Sequence, residues 1–241
     1  PPTLPEDVLN SKQVAVLFPG YGGVDANTDR IVEEINKEGA TTAYCYDWEM
    51  FRGNLFRSAS CGIDIGTQLG KELASSKNIE SVHFIGISVG SFAANACLDS
   101  FSTEIENQKK SGARKKFTPM LQPPAAEGAE EGGGDPESPL TRATFLDPFT
   151  SKGVFGAGFG TKKFGAAAQY AEQYLNTDDP VPSTNEPCSQ CHCFDITECG
   201  DKDSFVPLPN DNMHSWPAAF YGLNYRQNRN LGTRLSAGHR A

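Results

Sequence analysis

The apolar positions of this chain fall into short continuous runs that alternate with stretches of helical period. Gln13-Val14-Ala15-Val16-Leu17-Phe18 is an apolar run of strand length, stopped by Pro19-Gly20-Tyr21-Gly22-Gly23. Residues 27–37 place Ile31, Val32 and Ile35 on one helical face, with Asn27 or Thr28 positioned to cap. Residues 41–46 are rich in strand formers, and residues 64–74 space Ile65, Leu69 and Leu73 four apart as a helix does. Ser81-Val82-His83-Phe84-Ile85-Gly86 predicts a third strand, and a helix of small residues over 91–101 follows it directly. Strands that alternate with helices pair in parallel, and their crossover helices cover the sheet. The order therefore predicts an α/β fold, a doubly wound, mostly parallel sheet with helices on both faces.

After residue 101 the pattern breaks. Residues 109–116 are basic, and residues 123–139 are rich in Ala, Glu, Gly and Pro, including Gly132-Gly133-Gly134. This composition predicts a low-complexity insertion over about residues 102–140 of a single domain spanning 1–241. Strand character returns at Arg142-Ala143-Thr144-Phe145-Leu146, ending in Asp147-Pro148, and again over 168–175, ending in Asn176-Thr177-Asp178-Asp179. Residues 151–165 read as irregular. A cysteine-dense segment precedes His214-Ser215-Trp216-Pro217, a short apolar helix is predicted over 218–223, and residues 226–241 read as a basic tail.

Composition narrows the classes. With 38% hydrophobic and 21% charged residues the chain can build a core. A net charge of −9 argues against nucleic acid, whose phosphates demand a basic footprint. No apolar run approaches the roughly 20 residues that span a bilayer. Four of the seven cysteines crowd into residues 188–199. Two readings fit: disulfides in a secreted or organellar oxidising compartment, or zinc held by thiolates with help from His192. The compressed spacing, with no second Cys-x-x-Cys pair, favours disulfides. The chain begins at Pro1, so a targeting segment is expected to have been removed. No cofactor and no metal is expected.

The candidate chemistry starts at Gly86-Ile87-Ser88-Val89-Gly90, a G-x-S-x-G pattern between a strand and a helix. That context suits a serine held at the tip of a sharp turn, where flanking side chains must be small. A phosphate-binding β-α turn is the alternative. A serine nucleophile needs two N–H donors for the oxyanion: Val89, next after the serine, and Tyr21 in the Gly-rich loop after the first strand. It also needs an imidazole. His83 lies within a strand, His192 between cysteines and His239 in the tail, which leaves His214. The acid should follow an intervening strand, at Asp147 or at Asp178 and Asp179; Asp195 and Asp211 are weaker candidates.

Leu17-Phe18-Pro19-Gly20-Tyr21, Gly86-Ile87-Ser88-Val89-Gly90, Leu146-Asp147-Pro148 and His214-Ser215-Trp216-Pro217 together resemble the pancreatic-type lipase and esterase branch of the α/β-hydrolases. The resemblance covers roughly residues 12–100 and 142–223 and implies an α/β-hydrolase fold. It favours Asp147 as the acid, with Asp178 as the alternative, because the branch carries its acid in a Leu-Asp-Pro segment. It implies a triad of Ser88, Asp147 and His214 acting on a small-molecule or lipid carboxylic ester. The chain departs from the branch at Pro19-Gly20, where the family usually has His-Gly, and in its stretched Ser-to-Asp spacing. A catalytically silent subunit, docking protein partners through the insertion or the basic tail, is the rival expectation, since a fold does not fix a function. An amidase or peptidase with the same residues is a second.

Overall fold

The computed structural model describes residues 3–48, 55–113, 138–152, 156–207, 212–227 and 233–235. Seven strands form one sheet: β1 (Gln13–Phe18), β2 (Thr42–Cys45), β3 (Ser81–Ile87), β4 (Leu140–Leu146), β5 (Tyr170–Leu175), β6 (His192–Asp195) and β7 (Thr233–Leu235). Their order is β2-β1-β3-β4-β5-β6-β7. The first six are parallel and β7 is antiparallel to β6. The helices are α1 (Glu6–Asn10), α2 (Ala26–Asn36), α3 (Leu55–Ser75), α4 (Gly90–Lys110), α5 (Phe159–Lys163) and α6 (Trp216–Asn224).

Alternate residues of each strand feed two cores. Val14, Val16, Phe18, Phe84, Ala143 and Phe145 join α3 and α4 on one face. Ala15, Leu17, Ile85, Leu146, Tyr174 and Phe194 join α2 and α6 on the other. A strand buried on both sides reads as a continuous apolar run, which is why β1 and β3 show no alternation. Trp216, Phe220, Phe84 and Phe145 are almost wholly buried, each worth about 1.5–3 kcal/mol of transfer free energy. The doubly wound α/β architecture is as the pattern predicts.

The chain winds from β1 outward to β2, then returns to place β3 on the other side of β1. The crossovers diverge there to opposite faces of the sheet, beyond the C-terminal ends of β1 and β3. Open α/β sheets bind ligands at such a switch point. Both Gly20 and Ser88 sit at it. The register fixes a second relation: Ile87 pairs with Leu146, so the next residues, Ser88 and Asp147, leave the sheet at the same level on adjacent strands.

Several elements differ from the sequence pattern. Asp25, not Asn27 or Thr28, caps α2; its side chain accepts from Asn27 N (3.0 Å) and Thr28 N (2.8 Å), while Thr28 Oγ1 accepts from Asp25 N (2.7 Å). Helix α4 continues to Lys110, so the first residues assigned to the insertion are helical, and the stretch 114–137 lies outside the described residues. Thr233–Leu235 of the supposed tail pairs with β6. Arg226 bonds Glu34 at 2.9 Å. The rest of the tail, with His239, lies outside the described residues, as does most of the docking surface expected there. Among the described residues no helix is long and apolar enough to cross a membrane.

Helices α3 and α4 meet backbone to backbone. Gly62, Gly66 and Gly70 form a stripe on α3, and a Cβ on Gly66 would lie 2.2 Å from Ala93 O and 2.9 Å from Cys97 N. In an exposed helix, Gly→Ala stabilises by roughly 1 kcal/mol. Here the overlap with fixed backbone reverses the sign. Gly66→Ala should lower stability by about 1–3 kcal/mol, measured as a lower urea midpoint at unchanged slope. An unchanged or higher midpoint would show that the two helices are not in such close contact.

Candidate active site

Ser88 stands at the end of β3 with φ of 52°, in the left-handed region that non-glycine residues rarely enter. Its neighbours explain how the turn is built. A Cβ on Gly86 would lie 2.5 Å from Ser91 Cα, and one on Gly90 would lie 2.3 Å from Phe18 O and 2.5 Å from Pro19 O. Both glycines of the motif are therefore demanded by close backbone approach. The elbow is locked by Ser88 N donating to Leu146 O (3.0 Å), and Ser88 O accepts from Phe149 N (3.1 Å) and Ser91 N (3.1 Å). The bonds to Leu146 and Phe149 bracket Asp147 on either side in sequence.

The Gly-rich loop after β1 runs against the same serine. A Cβ on Gly20 would come within 3.2 Å of Ser88 Cβ, so only the bare backbone of glycine leaves room beside the hydroxyl. Trp48 Nε1 donates to Pro19 O (2.9 Å) and fixes the loop from behind. Val89 opens the first turn of α4, whose N-terminus carries partial positive charge. Tyr21 is half exposed beyond Gly20.

Asp147 follows β4, fully buried, with φ of 46°. Its N–H donates to Tyr174 O (2.9 Å), and Oδ1 accepts from Asn176 N (3.2 Å). Oδ2 is left to meet Nδ1 of His214 at 2.8 Å. His214 lies in a short turn, Met213–Ser215, just before α6. Asn212 caps that turn, its Oδ1 accepting from His214 N at 2.8 Å. The other ring nitrogen, Nε2, is buried and makes no hydrogen bond, so none joins it to Ser88 Oγ. The structure thus brings Asp147 and His214 into contact. It places Ser88 level with Asp147 on the next strand, and the serine–imidazole bond is not formed.

A second carboxylate faces the same nitrogen. Asp179 Oδ2 is 3.6 Å from His214 Nδ1 and accepts from Thr184 Oγ1 (2.9 Å). The acid named as the alternative, Asp178, points elsewhere: its carboxylate pairs with Lys202 Nζ at 2.7 Å. Sequence cannot choose between these neighbours. The turn that brings Asp179 N back to Asn176 O (3.4 Å) decides which of the two faces inward. Asp147, Asp179 and His214 are also the group of three side chains, among the described residues, that could hold a metal ion, their ligand atoms lying within 4.8 Å of one another.

Charge in this cluster is set by burial and proximity. Burial opposes charge on the imidazole, but Asp147 and Asp179 outweigh it and raise His214 from 6.5 to about 9. Burial pushes Asp147 up to about 8, with His214 pulling it down and Asp179 adding to the rise. Asp179 stays below its ordinary value despite burial, because His214, Asp147 and the Val181 N–H all favour its anion. The three groups titrate as a unit, and Asp179 is the member that remains ionised.

The remaining candidates go elsewhere. His83 Nε2 meets Thr144 Oγ1 at 2.7 Å inside the sheet, and burial, followed by Arg142, lowers its pKa. His192 stacks on Tyr170 with ring centroids 5.1 Å apart. Asp195 accepts from Thr197 N (2.9 Å), and Asp211 lies outside the described residues. None of the seven cysteines is in a disulfide, so the disulfides expected of the 188–199 segment are not formed; Cys188, Cys191 and Cys193 are wholly buried around Gln173 and Phe164. The segment serves instead to start β6. No family model matches this chain, and no curated protein matches it.

Because His214 is raised, the folded protein binds its proton more tightly than the unfolded chain does. The associated stability is complete below about 6.5 and is lost as pH rises through about 9. Asp147, raised to about 8, acts in the same direction. An NMR titration of the His214 ring should give a midpoint near 9, and Asp179→Asn should move it down toward 6.5. A wild-type midpoint at or below 6.5 would contradict the carboxylate contacts.

Proposed function

We propose that this chain is a serine hydrolase of carboxylic esters, with Ser88 as nucleophile, His214 as base and Asp147 as acid. One observation carries the reading: a strained, half-buried serine at the switch point stands level with a buried carboxylate that holds an imidazole at 2.8 Å. The lipase-like motifs identified in the sequence agree with it, and in that light the sheet is that of an α/β-hydrolase.

Neutral His214 takes the Ser88 proton through Nε2, and Ser88 Oγ adds to the ester carbonyl. The developing oxyanion lies against the N–H groups of Val89 and Tyr21, where the backbone beside Gly20 admits it. His214 then protonates the departing alcohol, which leaves an acyl group on Ser88. Water, deprotonated by the same nitrogen, attacks the acyl carbon and releases the acid. Asp147 holds the Nδ1 tautomer and stabilises the imidazolium. Nε2 is the nitrogen left without a partner in the resting protein, so it is the one available to the hydroxyl. Hydrogen bonds of this kind are commonly long in the unliganded state and tighten as substrate binds.

The silent-subunit reading has one observation in its favour, the unmade bond between Ser88 and His214. A fluorophosphonate separates the two. Under the hydrolase reading it labels Ser88 alone, and Ser88→Ala abolishes labelling and lowers kcat on a short aryl ester by about 10⁶-fold with the fold intact. Failure of the folded wild-type chain to label or to cleave a panel of matched esters and amides favours the silent subunit. Cleavage of amides in preference to esters would shift the substrate class.

A further inference from the structure

Asn176, at the end of β5, is fully buried; its carbonyl accepts from Asp179 N within its own loop, but its N–H and its side-chain amide reach elsewhere. Its N–H donates to Asp147 Oδ1 at 3.2 Å. Its side-chain Nδ2 donates to the carbonyl of Met213 at 2.7 Å. Its Oδ1 accepts from Lys202 Nζ at 2.7 Å. These bonds reach three separate segments: the turn after β4, the turn that carries His214, and the turn Gly200–Ser204. We propose that Asn176 is the positioning residue of this site, holding the acid and the base in fixed relation, and that Lys202 sets the orientation of its amide. The inference rests on the assignment of Asp147 and His214 given above.

The geometry gives the amide direct leverage on the imidazole. The peptide plane between Met213 and His214 is pinned at both ends, its C=O by Asn176 Nδ2 (2.7 Å) and its N–H by Asn212 Oδ1 (2.8 Å). Fixing that plane fixes the Cα from which the ring projects. On the other side, the bond from Asn176 N occupies Asp147 Oδ1 and leaves Oδ2 for Nδ1. One residue therefore sets both partners of the 2.8 Å contact.

Lys202 removes an ambiguity. An asparagine amide can turn over, exchanging its donor and acceptor ends. A lysine ammonium only donates, so it must face Oδ1, and Nδ2 is then forced toward Met213. Lys202 is itself held by both carboxylate oxygens of Asp178 at 2.7 Å, and its side chain is only 10% exposed. The groups facing the imidazole are Asp147 from the β4 turn and Asp179 from the β5 turn; Asn212 holds the backbone N–H of His214, and Lys202 bonds Asn176 and Asp178.

The test uses the full chain carrying Asn176→Ala, Lys202→Met or Lys202→Arg, normalised to fluorophosphonate-reactive protein so that partial unfolding cancels. Asn176→Ala should lower kcat on an aryl ester by about 10²-fold, the usual effect of displacing a reacting group by ~1 Å, and leave KM within about threefold. The NMR midpoint of His214 should fall in the same variant, because the ring drifts from its carboxylates. Lys202→Met should lower kcat by about tenfold through the amide's lost orientation, and Lys202→Arg should restore it. Should Asn176→Ala fail to fold, the two lysine variants decide alone. Wild-type kcat and an unmoved His214 midpoint in both Asn176→Ala and Lys202→Met, or in Lys202→Met alone where Asn176→Ala does not fold, would overturn the inference. If the wild-type chain neither labels nor hydrolyses, the hydrolase assignment fails separately. The His214 midpoint then still reads the positioning claim, supporting it if it falls in the variants and ending it if it does not.

Discussion

The site depends on where β3 and β4 stop. Parallel pairing of Ile87 with Leu146 means that both chains leave the sheet together, one as Ser88 and the other as Asp147. Neighbouring strands lie about 4.8 Å apart, so a hydroxyl and a carboxylate emerging at one level are near neighbours before any loop contributes. Two backbone bonds then tie the elbow to the chain on either side of the aspartate, from Ser88 N to Leu146 O and from Phe149 N to Ser88 O. A slip of one residue between these strands would send one of the two side chains to the opposite face of the sheet. The apolar residues of both strands forbid it, because Phe84 and Phe145 belong to one core and Ile85 and Leu146 to the other. Hydrophobic packing on two faces thus sets the relative position of the polar groups at the strand ends.

The second consequence is electrostatic. Two carboxyl groups and one imidazole share a nearly dry space, and burial of unpaired charge is too costly to leave them independent. The contacts distribute the charge. Asp179 receives the Val181 N–H and the Thr184 hydroxyl and keeps its anion, while Asp147 has one N–H donor and the ring. The ring is consequently charged over a wider range than an exposed histidine. Under the proposed function, a base of this kind is scarce at neutral pH and strong where it is available, which places activity on the alkaline side. Asp178, one residue before Asp179, does the opposite work on the outside by neutralising Lys202.

Much of this was legible in the sequence because it rests on local chemistry. The continuous apolar runs of β1 and β3 mark strands buried on both faces. The glycines at 86 and 90 mark a turn whose backbone approaches other backbone, and the four histidines leave few choices for an imidazole partner. What stayed hidden depends on tertiary context. Strand β6 is only four residues long and lies inside a cysteine cluster, where composition pointed to disulfides or zinc rather than to Cys193 and Phe194 facing opposite cores. The cap of α2 fell to Asp25 because its backbone and that of Thr28 exchange bonds with the two side chains, which the pattern of apolar positions does not encode. Asp178 and Asp179 are identical in type and adjacent in sequence, and only the turn following β5 separates an outward partner of lysine from an inward partner of histidine.

The backbone conformations at the strand ends carry the last step. Ser88, Asp147 and Ser183 are the non-glycine residues with positive φ among the described residues. Such a conformation costs an L-residue roughly 1–2 kcal/mol, and glycine would adopt it without that cost. Glycine has not been placed at any of them, although the chain holds 24 glycines and uses them freely in the surrounding turns. At Ser183 the reason is structural: its carbonyl takes Thr150 N and Thr150 Oγ1, and its hydroxyl meets Ser151 Oγ, so it clamps the chain just beyond Asp147. At Asp147 the side chain holds the imidazole. At Ser88 no hydrogen bond of the side-chain hydroxyl to the described residues repays the strain in the same way. Strain kept at such a residue agrees with the proposed role of Ser88 as a group that acts on something else.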